Sequence, residues 1–411
     1  MTQKYILKRV VLILLPLITL IYGFLVEEDL STGGSKLDFI RTFPAVVNFS
    51  NFIFDTTHEY TRHFPLHYFF LSIPHFIFKN IFITKLIYFL FTLFLPFLVY
   101  LNIQKLYTDQ KFNSLIIAIS LLFLPFYRSS SIWPNAHLTA LIFLLAANYF
   151  FIISLNSKNF IFKFMNILFL SFATYSMQSY AVFFIFYLIN YFKNTSLITF
   201  LSILFICFLF SLPGFFILLN TATSSKLDFS NNFSYTIITN FSIVFFCFLF
   251  FLVNSDNFNK IKKVLVSLNK FEIILLSSFF LILLISYENL SSSGGGFFYK
   301  VSNFIFNNNL FFYFTGFAGL TFFYLFYKID KNIFYTILLI NFSAIGYATS
   351  QKYFEPILII LIFILNKNFF SKSIITNKFN SLSFYAICLI YFFIALVNDN
   401  YDLSRSLIFN N

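Results

Sequence analysis

The sequence predicts an all-α protein, a polytopic bundle of transmembrane helices. Of its 411 residues, 59% are hydrophobic and only 10% are charged, and the mean hydropathy is +0.83. Soluble proteins carry about 25% charged residues. A water-soluble enzyme is therefore excluded.

The net charge is positive, with 27 Lys and Arg against 15 Asp and Glu, or +12. In a soluble protein this excess would suggest a nucleic-acid partner, but in a membrane protein the positive-inside rule explains it. We expect no nucleic acid. Cys207, Cys247 and Cys388 lie far apart in apolar runs, so we interpret them as packing residues.

The first apolar run, residues 10–26, follows Lys4, Lys8 and Arg9. Glu27-Glu28-Asp29 stands where a signal peptide would need small residues for cleavage. This pattern predicts a retained first span with a cytoplasmic N-terminus. Because a span needs about 20 apolar residues, we predict about thirteen spans, within a range of roughly 11 to 13. They cover residues 10–26, 86–104, 113–127, 136–155, 163–177, 178–192, 195–219, 235–253, 271–287, 310–327, 332–350, 353–366 and 382–398.

The charge-free stretch of residues 164–192 fits one long helix or two short ones. Two helices hinged at residues 174–179 place the most basic loop, with Lys260, Lys262, Lys263 and Lys270, on the cytoplasmic side. One helix would place that loop outside, against the positive-inside bias. We therefore predict two short spans, and on this topology all five His face outward.

The chain is predicted to form one integral membrane domain over residues 1–411, with a large first outer loop at 27–85 and the remaining bundle at 86–411. The run Leu66–Phe78 is too short to span. We expect it to lie in the outer interface as an interfacial helix.

The first outer loop is the richest in groups for acid–base chemistry. Glu28 or Asp29 could serve as a general base near a lipid-borne substrate, although acids at a helix exit can also merely mark the outer side. His63 and His67 have the i, i+4 spacing of metal ligands, but Pro65 interrupts a shared helical face, so we expect no metal. Further substrate-binding candidates in this loop are Asp38, His58, Glu59, Arg62, His63 and His67.

A retained first span, a large outer loop that begins with Glu27-Glu28-Asp29, and many spans with short connections together resemble the GT-C class of integral membrane glycosyltransferases. The resemblance implies a polyprenyl-phosphate-linked sugar as donor. It also implies a catalytic base on the first loop, which in this chain falls on Asp29 or Glu28.

Three later segments are predicted to add substrate contacts. The segment from Arg128 to His137 carries a cation, three Ser and the only Trp, for which interfacial anchoring and sugar stacking both stay open. The glycine-rich outer loop ending at Lys300 is interpreted as a mobile lid or a close backbone approach, or as a plain linker. The third segment could neutralise a leaving phosphate or hold a structural Lys352–Glu355 pair, and its candidates are Gln351, Lys352, Tyr353 and Glu355.

The sequence thus predicts transfer of a sugar from a polyprenyl-phosphate donor to a lipid- or glycan-linked acceptor on the non-cytoplasmic face, without a cofactor. A bacterial inner membrane facing the periplasm is the expected setting, and an ER membrane facing its lumen satisfies the same physics. Two alternatives stay open, a lipid-linked oligosaccharide polymerase or ligase and a transporter or flippase of lipid-linked glycans. A transporter is expected to carry ionisable residues in mid-span, whereas this chain keeps most charges near span ends.

Overall fold

The computed structural model describes residues 3–31, 34–52, 64–220, 233–286, 296–343 and 351–409. Every regular element in these ranges is a helix, which confirms the predicted all-α class. The N-terminal half contains α1 (Gln3–Leu25), α2 (Gly34–Val47), α3 (Phe49–Phe52), α4 (Leu66–Phe78), α5 (Ile81–Thr92), α6 (Phe94–Leu106), α7 (Lys111–Ser120), α8 (Pro125–Ile132), α9 (Ala136–Leu155), α10 (Phe160–Ser176), α11 (Phe183–Asn194) and α12 (Leu197–Asn220), with 3₁₀ turns at Leu121–Phe123 and Gln178–Val182. The C-terminal half contains α13 (Phe233–Leu252), α14 (Ser255–Val266), α15 (Lys270–Ile285), α16 (Gly296–Val301), α17 (Leu310–Ile329), α18 (Lys331–Ser343), α19 (Gln351–Ile364), α20 (Phe369–Thr376) and α21 (Lys378–Phe409), with a π-helical turn at Ser302–Phe306.

The chain divides into two compact units. Unit 1 combines Met1–Lys226 with Tyr385–Asn411, and unit 2 is Leu227–Phe384. The assignment of residues 1–411 to a single membrane domain stays a prediction.

Five helices in the described ranges are long and apolar enough to cross a membrane, and three bent pairs raise the number to eight if each pair is one span. The structure thus supports fewer spans than the predicted thirteen. Apolar helical stretches of 10–17 residues fall outside this set, among them Val10–Leu25, Phe160–Ser176 and Thr236–Leu252. The five long helices are Ile81–Leu106, Ala136–Leu155, Leu197–Ile217, Leu310–Ile329 and Lys378–Asn398.

The first outer segment is helical over most of its described residues, with α2, α3 and α4 between α1 and α5. Helix α4 covers the run Leu66–Phe78 that was predicted as an interfacial helix. Pro65 precedes it as the N-cap residue, so the helix begins after His63 and before His67. The location of α4 in the membrane interface stays a prediction.

Helix α10 ends at Ser176, and Met177 has an extended backbone with φ −151° and ψ 110°. The predicted division of residues 164–192 into two helices is confirmed. Near this break, Tyr175 inserts its hydroxyl into α12, donating to the carbonyl of Phe210 and accepting from the backbone N–H of Gly214 at 2.8 Å. Pro213, just before Gly214, lacks an N–H, so Tyr175 holds the helix where its own hydrogen bonding is interrupted.

Polar side chains join the helices of unit 1 within their apolar interior. Asn148 Nδ2 donates to Asn102 Oδ1 at 2.9 Å, and the Tyr187 hydroxyl donates to Asn148 Oδ1 at 3.2 Å. The Tyr191 hydroxyl donates to Asn166 Oδ1 at 3.2 Å. Hydrogen bonds between buried side chains link helices that would otherwise attract each other by packing alone. These bonds hold together the helices that support the site described below.

Unit 2 has its core where α13 packs against α17. Gly319 faces the backbone of Phe241 so closely that a Cβ atom would overlap the Phe241 carbonyl group. One turn earlier, a Cβ on Gly316 would lie 3.0 Å from the Ile238 side chain. Small residues at such a crossing allow two helix backbones to approach closely.

Candidate functional site

The candidate site lies where α1 ends, in the segment Glu27-Glu28-Asp29 that the sequence singles out. Glu27 has a left-handed backbone with φ 55°, and its N–H still bonds to the carbonyl of Phe24 at 3.3 Å. This turn directs the three neighbouring carboxylates to different partners. Their surroundings therefore differ in burial, in charge and in the oxygens left for a substrate.

Glu28 forms a buried ion pair with Arg128 of α8. The Nε of Arg128 donates to Glu28 Oε1 at 2.7 Å, and Nη2 donates to Oε2 at 2.9 Å. The side chain of Arg128 is 0% exposed, and that of Glu28 is 7% exposed. Two parallel hydrogen bonds of this kind are the strong form of the Arg–carboxylate contact. Both oxygens of Glu28 are thus engaged.

Arg128 also ties α8 to α1. Its Nη2 donates to the carbonyl of Thr19 at 2.8 Å, and its Nη1 donates to Thr19 Oγ1 at 3.3 Å. The guanidinium carbon lies 4.3 Å from the ring centre of Phe392. Gly23 leaves room for the pair, because a Cβ there would lie 2.7 Å from Arg128 Nη2 and 2.9 Å from Glu28 Oε2.

The position of Arg128 corrects the prediction that it lies in the connection between the spans 113–127 and 136–155. Residues 125–132 form a helix, which begins at Pro125 after extended Leu124 and is bent by 66° from the preceding helix. Pro at the first helical position favours such a start, since its missing N–H would be unpaired there anyway. The bend carries Arg128 inward to Glu28, and its donors are used within the fold.

Asp29 stabilises the start of α2. Its Oδ1 accepts from the backbone N–H of Ser31 at 3.0 Å and from the Ser31 hydroxyl, and its Oδ2 accepts from the backbone N–H of Lys36 at 2.8 Å. A carboxylate offers about four lone-pair sites. The described hydrogen bonds fill three of them on Asp29 and two on Glu28, so the two carboxylates differ in the charge of their partners: uncharged backbone and hydroxyl groups hold Asp29, whereas a buried guanidinium holds Glu28.

Glu27 belongs to a charged group around Trp133. Lys85 of α5 donates from Nζ to Glu27 Oε1 at 2.8 Å, and this Nζ lies 3.5 Å from the ring centre of Trp133. The Nζ of Lys36 lies 4.9 Å from the same ring centre. Two ammonium groups on one indole are stabilised by cation–π attraction and give the site local positive charge.

Trp133 is itself held in place. Its indole Nε1–H donates to the carbonyl of Glu28 at 3.2 Å, and it is buried. Trp133 lies against Lys85 and Lys36, and its roles as an interfacial anchor or a sugar-stacking ring stay predictions. In this structure Trp133 connects the acidic segment to the two lysines.

The pKa of Glu27 is lowered from its ordinary value of 4.5, first by the hydrogen bond from Lys85 and further by the positive charges of Lys85 and Lys36. The carboxylate is 52% exposed, whereas Lys85 is 4% exposed. Glu27 therefore compensates a buried cation while remaining in contact with water.

His67 lies in a buried hydrogen-bond network between α4, α5 and α9. Its Nδ1 is 2.8 Å from Thr139 Oγ1, which is 3.2 Å from the Tyr88 hydroxyl. Tyr88 donates to the carbonyl of Asn135 at 2.8 Å. His137 is the second residue of α9, and its N–H donates to Asn135 Oδ1 at 3.0 Å. His67 thus contributes to packing beside the site.

The remaining predicted residues of the first segment have different outcomes. Asp38 lies on α2, half-buried, and its charge adds to burial in raising the pKa of the Tyr68 hydroxyl on α4. His58, Glu59, Arg62 and His63 lie outside the described residues. Among the described residues, no group of three or more His, Cys, Asp or Glu side chains could hold a metal ion.

The later predicted residues belong to unit 2. Gln351 Oε1 accepts from the N–H of Phe297, and its Nε2 donates to Glu355 Oε2 at 2.6 Å. Glu355 is fully buried, and Gln351 is one of its hydrogen-bond partners. Lys352 is half-buried on α19. Tyr353 lies on the same helix, with its side chain outside the described part.

Lys300 is exposed on α16, which corrects the prediction of a loop there. Residues 296–301 are helical because Gln351 caps the first turn at Phe297 and because Gly296 adopts φ 75°. A positive φ is accessible to glycine without steric cost.

Sequence reasoning missed the structural partners of the acidic segment. Lys85 was placed at the border of the outer loop, and Lys36, Thr19 and Gly23 were not considered. One signal was available, since a lysine inside the apolar run Ile81–Leu106 is costly and calls for a partner.

Comparison with known proteins gives no relative for this chain: no family model, curated protein or solved structure matches it. The function is therefore argued from the geometry of the site.

Proposed function

We propose that the protein is a membrane glycosyltransferase of the GT-C type, which transfers a sugar from a polyprenyl-phosphate donor to a lipid- or glycan-linked acceptor on the non-cytoplasmic face. The observation that carries the proposal is the division of roles at the end of α1. Asp29 is held by uncharged donors rather than by a counter-cation, and two lysines lie against Trp133, which is bonded to the adjacent Glu28. A base beside a cationic group is what this transfer requires.

In the proposed reaction, Asp29 accepts the proton of the acceptor hydroxyl as its oxygen attacks the anomeric carbon of the sugar. The bond between that carbon and the phosphate oxygen breaks, and polyprenyl phosphate leaves with the electron pair. Lys36 and Lys85 stabilise the negative charge that develops on the phosphate. The sugar, the proton and the negative charge are all accounted for in this step, so it requires no cofactor.

Glu28 takes a positioning role in this proposal rather than that of the base. Both of its oxygens accept hydrogen bonds from Arg128, and protonating it would leave a buried guanidinium without its counter-charge. The pair fixes the end of α1 and thereby the backbone of Asp29.

The proposed setting is a bacterial inner membrane with a cytoplasmic N-terminus and the site facing the periplasm. Thirteen spans result if α1, α10, α11, α13 and α18 also cross the bilayer beside the eight candidates. The short helices can cross where the bilayer thins locally or where helices associate. The bilayer, the lipid-linked donor and the acceptor are then the partners of the protein.

The test is a transfer assay in membranes from cells that express the protein, supplied with labelled polyprenyl-phosphate sugars and native lipid and glycan acceptors. We expect wild-type transfer and its loss in Asp29→Asn at equal expression. Asp109→Asn, at an exposed turn, is the control and should retain transfer. Absence of wild-type transfer from every donor would reject the proposal and favour a polymerase, ligase or transporter.

A further inference from the structure

Helix α14 (Ser255–Val266) has three distinct faces. Asn257 and Ile261 are buried against unit 2, and Asn257 is fixed by hydrogen bonds to the carbonyl of Phe251 at 2.9 Å and from Ser373 Oγ at 2.7 Å. Residues three, four or seven positions apart share a helical face. One side of α14 is therefore firmly docked, and the other sides face outward.

The two outward faces of α14 have opposite chemistry. Phe258 and Leu265, seven residues apart, are 52% and 45% exposed and form an apolar face. Lys260 and Lys263, three residues apart, are exposed on the opposite side. Lys262 lies beside the apolar face and is also exposed. A helix with separated apolar and lysine-rich faces is typical of a segment in the plane of a membrane interface.

The orientation of α14 fits that plane. Its axis is bent by 98° from α15 across a break of no more than four residues. Helix α15 (Lys270–Ile285) exposes large apolar side chains such as Ile274, Ile282 and Ile285. If α15 runs along the membrane normal, α14 lies parallel to the surface at the end of α15 that begins with Lys270.

Asp256 lies on α14 itself, four residues before Lys260, so this helix carries three lysines and one acid. The acidic groups Glu272 and Asp330 at this end of unit 2 are engaged by other partners. Glu272 pairs with Lys328 and accepts from the Tyr324 hydroxyl at 2.7 Å. Asp330 accepts from the N–H groups of Asn332 at 2.9 Å and Phe369 at 3.1 Å. Of the ion pairs recorded for the described residues, none involves the lysines of α14.

We propose that α14 is an anionic-phospholipid binding surface, in which Lys260, Lys262 and Lys263 contact the headgroup phosphates while Phe258 and Leu265 enter the acyl boundary. Charge complementarity selects the partner, because each lysine near an anionic surface strengthens binding by about fivefold. The stem of Lys262 can follow the apolar surface while its ammonium reaches the phosphate level. This surface is separate from the site at the end of α1 and does not depend on the proposed transferase activity.

The test uses the purified full chain in neutral detergent and counts bound lipid by native mass spectrometry during titration with palmitoyl-oleoyl phosphatidylglycerol. Phosphatidylcholine of the same chains provides the uncharged comparison. The variant is Lys260→Gln with Lys262→Gln and Lys263→Gln. The matched control changes three exposed lysines elsewhere to Gln, namely Lys105, Lys111 and Lys158.

We expect the α14 variant to lose phosphatidylglycerol affinity by about 100-fold, because three charges of about fivefold each are removed. The control should retain it, and Lys→Arg at the three α14 positions should restore it because charge is preserved. Equal binding of the two lipids by the wild type, or equal losses in the α14 variant and the control, would overturn the proposal. If the triple Gln variant does not fold, the triple Arg variant and the comparison of phosphatidylglycerol with phosphatidylcholine still test the proposal.

Discussion

At the scale of single residues, Glu28 and Asp29 differ in what surrounds their carboxylates. Glu28 is buried with both oxygens on Arg128, whereas Asp29 accepts mainly from local backbone and hydroxyl groups at the start of α2. The sequence offered both as bases and could not rank them. Their separation depends on Arg128, which lies 100 positions away from Glu28 and which no local pattern connects to it.

Glu28→Gln should lower the free energy of unfolding by about 3–5 kcal/mol, because it leaves the guanidinium of Arg128 buried without a counter-charge. Denaturant or thermal unfolding in detergent measures this loss. Glu28→Gln combined with Arg128→Met should recover part of it, since the unpaired charge is then removed. Asp109→Asn, at an exposed turn, is the control and should change stability by about 0.5 kcal/mol or less. A Glu28→Gln variant as stable as this control would contradict the structural role.

Acid should weaken the contact between Glu27 and Lys85. The pKa of Glu27 is lowered in the folded protein from 4.5, so the unfolded chain binds more protons and stability rises with pH in this range. The stabilisation from the contact between Glu27 and Lys85 is present above pH 4.5 and is lost as the pH falls through the pKa of Glu27 in the folded protein. The Tm difference between the wild type and Glu27→Gln should shrink below pH 4.5. A difference that stays constant with pH would contradict the assignment.

At the scale of elements, the hydropathy of the sequence predicted the positions of helices well, but it predicted the positions of bends poorly. Residues 66–78 and 136–155 fold as helices with the predicted bounds, since a long apolar run fixes both type and length. The bend at Leu124 was missed because Pro125 ends one apolar helix and starts another within a single run of low charge. Composition does not show in which direction a helix turns after a bend, so the inward position of Arg128 could not be predicted from the sequence.

The crossing of α13 and α17 in unit 2 should depend on Gly319. Gly319→Ala should cost about 1–3 kcal/mol, because its Cβ would overlap the backbone carbonyl of Phe241, which cannot rotate away. Gly316→Ala is the matched control on the same helix, where the nearest atom belongs to the movable Ile238 side chain. Thermal unfolding in detergent should show a clearly smaller loss for Gly316→Ala. Equal losses would indicate that the close backbone approach is absent.

At the scale of the whole molecule, composition alone predicted an all-helical membrane protein, and the helices agree with it. Among the described residues, five to eight helices are long and apolar enough to cross a membrane, so the predicted number of about thirteen spans is not confirmed and stays a proposal. The acidic segment and Arg128 were both identified from the sequence, but as separate candidates. Their contact, and that of Lys85 with Trp133, arises from packing of distant helices and leaves no local signature.

The most direct test of the central claim is a comparison of donor binding and single-turnover sugar transfer in Asp29→Asn, with Lys85→Gln measured in parallel. If Asp29 is the base and the lysines hold the phosphate, Asp29→Asn keeps donor affinity within about twofold and lowers the transfer rate by about 100-fold or more. Lys85→Gln weakens donor binding as well. Undiminished transfer by Asp29→Asn would contradict the claim.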